Sequence, residues 1–127
     1  MKFTYHKIEK LKSQKAIEKL FLEGKSVSAF PLRLIYLQMD HADGSKIKSG
    51  VSVSKRNFKN AVDRNRIKRL LRESYRLNKP AYFNNITHSY ALMILYISKD
   101  ETNFDAVNSK MKQLLSSFIE KISMDKN

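Results

Sequence analysis

Nine cations (Lys55, Arg56, Lys59, Arg64, Arg66, Lys68, Arg69, Arg72 and Arg76) fall in the stretch from Gly50 to Arg76, where Asp63 and Glu73 are the acids. Nine positive charges against two negative leave +7 of the chain's net +13 within one segment. Arginine offers two parallel N–H donors that match two phosphate oxygens, and lysine adds a compact point charge. A solvated helix usually interleaves Glu with Lys one turn apart. This stretch instead stacks like charges at Arg64, Lys68, Arg72 and Arg76, which destabilises an isolated helix by about 0.2–0.5 kcal/mol per pair. The segment therefore expects a polyanionic partner, and nucleic acid fits best.

Residues able to cleave such a partner are missing from the pattern. Cleavage by a protein needs a paired general acid and base, or carboxylates clustered around divalent ions. His6, His41 and His88 lie in three separate segments. Asp100, Glu101 and Asp105 surround a helix start, where the helix dipole favours negative charge. Asp40-His41-Ala42-Asp43-Gly44-Ser45 reads as a turn and not as a metal loop, with Asp43-Gly44 as a hairpin signal. No catalytic and no metal-binding residue is expected. Without cysteine there is no disulfide, thiolate nucleophile or thiolate metal site, which fits a reducing cytosol.

The cations need an element to aim them. At about 100° per residue, Ile67, Leu70, Leu71 and Ser74 share one side of a helix, with Tyr75 at its edge. That stripe is wide enough to seat the helix on a core. Arg64, Asn65, Lys68, Arg69, Arg72 and Arg76 spread over the other side, and Arg66 stands apart on the far flank. The helix is expected from about Asn60 to Asn78, stopped by Pro80.

SVSKR followed by AVDRNRIKRLLRESYR resembles the signature of the bacterial ribonuclease P protein component, whose central feature is an Arg-Asn-Arg run on a basic helix. The match at Arg64, Asn65, Arg66, Lys68, Arg69 and Arg72 is position by position, and a weaker likeness extends from Leu11 to about Ile122. Between Arg56 and Ala61 this chain has Asn-Phe-Lys-Asn, one residue longer than the usual linker and without its glycine. The resemblance implies a protein subunit of an endoribonuclease whose RNA subunit performs metal-assisted hydrolysis at the 5′ end of tRNA. Arg64, Asn65, Arg66, Lys68, Arg69, Arg72 and Arg76 would then dock on ribonuclease P RNA. Arg66 could instead reach a different strand or pair with Glu73. A separate cleft would hold the 5′ leader of precursor tRNA. Mg²⁺ would be held mainly by the RNA subunit and substrate, and no protein partner is required.

Read in order, residues 1–12 form a flexible basic arm. Ser13 is a fair N-cap for a helix through Glu23, with Gly24 as its stop. Ile17, Leu20 and Phe21 make its apolar stripe. Ile17 and Leu20 read as core. The resemblance places Phe21 at an aromatic position lining the leader cleft, so leader contact and plain core packing both stand for it. The aromatic position one turn earlier is Ile17 here, without a face for stacking a base. A short strand over Lys25–Ala29 and a longer one over Leu32–Met39 follow, separated by Pro31. In the longer strand Arg33 is a candidate for phosphate and Tyr36 for stacking, and parity alone does not say which face lines the cleft. Ile47–Ser54 alternates, with Val51 and Val53 inward. Gly50, Ser52 and Ser54 leave a small polar face that a nucleic-acid backbone could approach. Phe21, Arg33, Tyr36, Ser52, Ser54, Lys55 and Arg56 are the expected leader-binding set.

After a loop over residues 79–89, Tyr90–Ser98 is a nearly continuous apolar run suited to a strand buried on both faces. A last amphipathic helix spans about Asn103–Ser123 on Phe104, Val107, Met111, Leu114, Leu115, Phe118, Ile119 and Ile122. With 127 residues, 42% apolar, the chain suits one RNA-binding domain with one core. The order α-β-β-β-α-β-α predicts an α/β (α+β) two-layer sandwich with a mixed four-stranded sheet. Its βαβ unit would be right-handed by the general rule and left-handed by the resemblance. No signal peptide is expected from the N-terminus, and the longest apolar run, eight residues, is too short to cross a bilayer. A cytoplasmic protein without membrane attachment is the expectation. A plain RNA-binding module of ribosomal or chaperone type is the competing function. A helix-turn-helix DNA reader is the weakest of the three functions, because a strand, not a helix, precedes the basic helix.

Overall fold

The computed structural model describes residues 10–124. Its elements run α1 (Gln14–Glu23), β1 (Lys25–Ala29), β2 (Leu32–Gln38), β3 (Ile47–Val53), α2 (Ala61–Tyr82), β4 (Tyr90–Tyr96) and α3 (Phe104–Met124). The strands form one sheet in the order β1-β2-β4-β3. β1/β2 and β2/β4 pair antiparallel and β3/β4 parallel, which gives the expected mixed α+β sheet. The most apolar strand, β4, lies between β2 and β3, where both its faces are covered. Asp43-Gly44 therefore does not close a hairpin, although Gly44 makes the tight turn at a φ of 81°. β2 and β3 follow one another in sequence but are not neighbours in the sheet.

Register sorts the side chains into two faces. Leu32, Leu34, Tyr36, Ile47, Val53, Tyr90, Leu92, Ile94 and Tyr96 pack against α2 and α3 as the main core. Phe118 of α3 is its hub, with ring centroids 5.0 Å from Tyr36, 5.5 Å from Tyr90 and 5.9 Å from Phe83. Burying each such side chain contributes about 1.5–3 kcal/mol. On the opposite face Leu20 of α1 and Leu11 cover Ala91 and Met93, flanked by Ile17, Ile35 and Leu37.

Ser13 caps α1 by accepting the Ala16 N–H, as expected. Gly24 ends the helix for a different reason from the usual left-handed turn. Its φ is −69°, and an added Cβ would meet the Leu20 carbonyl oxygen and lie 2.8 Å from Ile35 Cγ2. Close approach of helix to sheet is what requires glycine. Pro80 does not stop α2: the helix runs on to Tyr82, and Phe83 caps it by donating to the Lys79 carbonyl. Proline disfavours a helical residue before it and removes one hydrogen bond. The extra turn offsets that by placing Phe83 between Tyr75 and Phe118.

Residues 1–9 of the expected arm lie outside the described residues. Its last part is not free: Lys10 bridges to Ser49 alongside β3, the Leu11 N–H donates to the Ser49 carbonyl at 2.9 Å, and Leu11 is buried. An apolar side chain with a sheet edge beside it docks there through a single bridge.

Candidate nucleic-acid interface

Ile67, Leu71, Ser74, Tyr75 and Asn78 are the buried residues of α2. They anchor it, and the remaining positions divide into three directions. Lys68 and Arg72 flank the β3 edge, where with Lys10, Leu11, Lys12, Ser49, Gly50 and Val51 they enclose a niche of about 210 Å³. Asn65 and Arg69 face outward and are exposed, as is Arg72. Among the described residues no carboxylate pairs with Lys68, Arg69 or Arg72. These three cations are available to phosphate.

The other three arginines of the expected ridge are engaged within the protein. Arg64 Nη1 donates to the Phe58 and Lys59 carbonyls, both at 2.9 Å. Arg66 donates to the Thr102 carbonyl at 3.2 Å and pairs with Glu101, just before α3. Glu73 pairs with Arg76, not with Arg66. The helical wheel gave the direction of Arg66 correctly, but its partner comes from 35 residues away. Arg64 also resolves the unusual linker. Phe58 is buried with its ring 5.9 Å from that of Tyr96, its N–H donates to the Ser54 carbonyl, and Arg64 holds the carbonyls that follow. Sequence reasoning missed Phe58 because a lone aromatic in a polar linker carries no periodicity.

Part of the α1-covered face of the sheet is left open. Strand register aligns Ser28, Arg33, Leu95 and Ser52 in one row across it. The adjacent row, Ser26, Ile35, Met93 and Gly50, lies nearer α1. Arg33 is exposed and donates to Ser26 Oγ at 3.3 Å. Phe21 and Glu23 are about 200° apart on α1. Glu23 borders Tyr36, Leu37, Gln38, Tyr90 and Ile122, and Phe21, on another side of the helix, is 49% exposed. It is not a core residue. Ser54, Lys55 and Arg56 continue past the end of β3 beyond Ser52, and all three are exposed. Ser54 Oγ accepts the Arg56 N–H, which shapes that turn.

Tyr36 does not belong to this group. It is 3% exposed on the opposite face, under α3, so it packs the core and cannot stack on a base. Lys48 shares the open face but is held by Asp43 at 2.8 Å. Lys48 and the Ser45 hydroxyl and N–H together keep the Asp43 carboxyl well below the usual carboxylate range. Burial pulls Lys79, in the last turn of α2, below the ordinary lysine value.

Among the described residues no group of three or more His, Asp or Glu could hold a metal. Nor is any described helix long and apolar enough to cross a membrane.

A basic helix seated on a mixed sheet, with Arg33 exposed on the far face, is an arrangement with known relatives. The Ribonuclease P family model matches residues 5–119. The chain belongs to the ribonuclease P protein family. It is 38% identical over 120 residues to the ribonuclease P protein component of Porphyromonas gingivalis, covering 89% of this chain and 85% of that one. The corresponding Dictyoglomus thermophilum protein is 34% identical over 119 residues, covering 94% and 92%. Two solved structures share the fold. The ribonuclease P protein of Staphylococcus aureus has a TM-score of 0.65 at 22% identity, covering 85% of this chain and 93% of that one. That of Thermotoga maritima also has a TM-score of 0.65, at 24% identity, covering 84% and 94%. As a ribonuclease P protein the chain is a subunit of an endoribonuclease of tRNA processing, and its partner is ribonuclease P RNA.

Proposed function

We propose that this ribonuclease P protein holds two RNAs on two surfaces. Lys68, Arg69 and Arg72, with Asn65 between them and the helix start, dock on the RNA subunit. Phe21, Arg33, Ser52, Ser54, Lys55 and Arg56 line the groove for the single-stranded 5′ leader of precursor tRNA. The observation that carries the reading is that Lys68, Arg69 and Arg72 are unpaired among the described residues, on a helix whose opposite stripe is buried. Unpaired cations so fixed are ready to displace counterions from phosphates. Arg64, Arg66 and Arg76 support this surface by holding the linker, the start of α3 and Glu73.

Hydrolysis belongs to the RNA subunit. Mg²⁺ is held by that RNA and the substrate, and no other protein is needed. The chain's lack of cysteine suits work in the reducing cytoplasm. Adding the purified chain to a bacterial ribonuclease P RNA with precursor tRNA at low Mg²⁺ tests this function. Correctly placed 5′ cleavage should rise steeply. No rise would make the chain a plain RNA-binding module, and cleavage by the chain alone would place the chemistry in the protein.

A further inference from the structure

Beyond the row of Ser28, Arg33, Leu95 and Ser52 the open face continues for one more step. The chain turns there through Phe30 and Pro31, and just past β4 the Ile97 N–H donates to the Pro31 carbonyl at 2.8 Å. Strand alternation carries Ile97 after Leu95 onto the face away from α2 and α3, and Phe30 stands in the turn between β1 and β2. Neither joins an apolar cluster: Phe30 is 65% and Ile97 38% exposed. Single exposed apolar residues are ordinary. The turn that carries Phe30 is tied to Ile97 by that bond at Pro31, next to the row that holds Arg33.

Cations border this step. Arg33 lies on one side, and Lys55 and Arg56 extend from the end of β3. Of the nearest acids in sequence, Asp100 is exposed and Glu101 is engaged. Tyr96, on the helix-covered face, donates its hydroxyl to the Asp100 carbonyl, and Glu101 pairs with Arg66 of α2. An exposed ring flanked by cations is the composition of grooves that hold single-stranded nucleic acid, where bases stack on aromatics and cations track the backbone.

We propose that Phe30, with Ile97 beside it, is a stacking platform for an unpaired RNA base one step farther from α1 than Phe21 and Arg33. The proposal rests on the reading of the open face as the leader groove. Four residues of strand separate Ser26, in the row nearer α1, from Phe30, about 13 Å along the strands. Only a longer leader reaches Phe30.

Affinities of the assembled ribonuclease P for precursors with 5′ leaders of increasing length test this, using wild type, Phe21→Ala, Phe30→Ala and Phe30→Trp. Phe30→Ala should lose about tenfold for long leaders, the scale of one base–aromatic stack, and nothing for leaders too short to reach it. Phe30→Trp should keep or raise the long-leader affinity. Thermal unfolding of each variant reports folding directly. Loss with Phe21→Ala but none with Phe30→Ala at any length would overturn the platform and leave the groove. No loss with either would overturn the groove reading itself, and the platform with it. A Phe30→Ala loss equal at all lengths, or one tracking a lowered Tm, would also overturn it.

Discussion

A tyrosine packed against Phe118 and a phenylalanine half exposed on α1 have opposite prospects for meeting a base. Tyr36→Ala removes a ring from the main core and should cost about 3–5 kcal/mol of stability. Among the molecules still folded, discrimination between precursor and mature tRNA should be unchanged, as urea denaturation and binding would show together. Phe21→Ala should do the reverse: a small change in stability, and affinity lost for precursor more than for mature tRNA. Equal losses for both would return Phe21 to a structural role. The sequence could not separate Tyr36 from its neighbours because both faces of β2 carry apolar residues. The deciding fact is register with β4, which puts Tyr36 opposite Leu92 and under α3. Phe21 was legible as one of two alternatives, since a helix stripe does not say where its edge falls.

At the scale of elements, two contacts set how the helices sit on the sheet. Gly24→Ala keeps an allowed backbone but drives a methyl into the Leu20 carbonyl and Ile35. About 1–3 kcal/mol of destabilisation should follow, measurable as a lower urea midpoint. A neutral Gly24→Ala would mean that α1 can lift from β2 at no cost. Arg66 ties α2 to the start of α3, with both partners partly exposed. Arg66→Ala should therefore cost only about 0.5–1 kcal/mol, and Glu101→Gln should recover part of that loss in a double-mutant cycle. Additive effects would show that the pair is not coupled. The helix positions, the Ser13 cap and most of the buried stripe of α2 were readable from residue types and periodicity. The run through Pro80 was not, because Phe83 rewards the extra turn from outside the helix. The engagement of Arg64 and Arg66 was not either, because carbonyl partners have no sequence signature.

Across the whole molecule, one sheet separates two basic surfaces. α2 presents Lys68, Arg69 and Arg72 beside the β3 edge, and Arg33 is exposed on the sheet face that α1 covers in part. The fold class, the mixed sheet and the basic helix followed from composition and alternation. The insertion of β4 between β2 and β3 did not, since strand order is a tertiary property. The account stands on the claim that phosphate contact on α2 falls to the three unpaired cations and not to the arginines engaged inside. The affinity of the chain for ribonuclease P RNA, measured against salt concentration, tests this most directly. Replacing Lys68, Arg69 and Arg72 together with Ala should flatten the slope of log K against log salt by about 2–3, while Arg66→Ala leaves it nearly unchanged. An unaltered slope in the triple variant, or a comparable flattening from Arg66→Ala, would contradict the account.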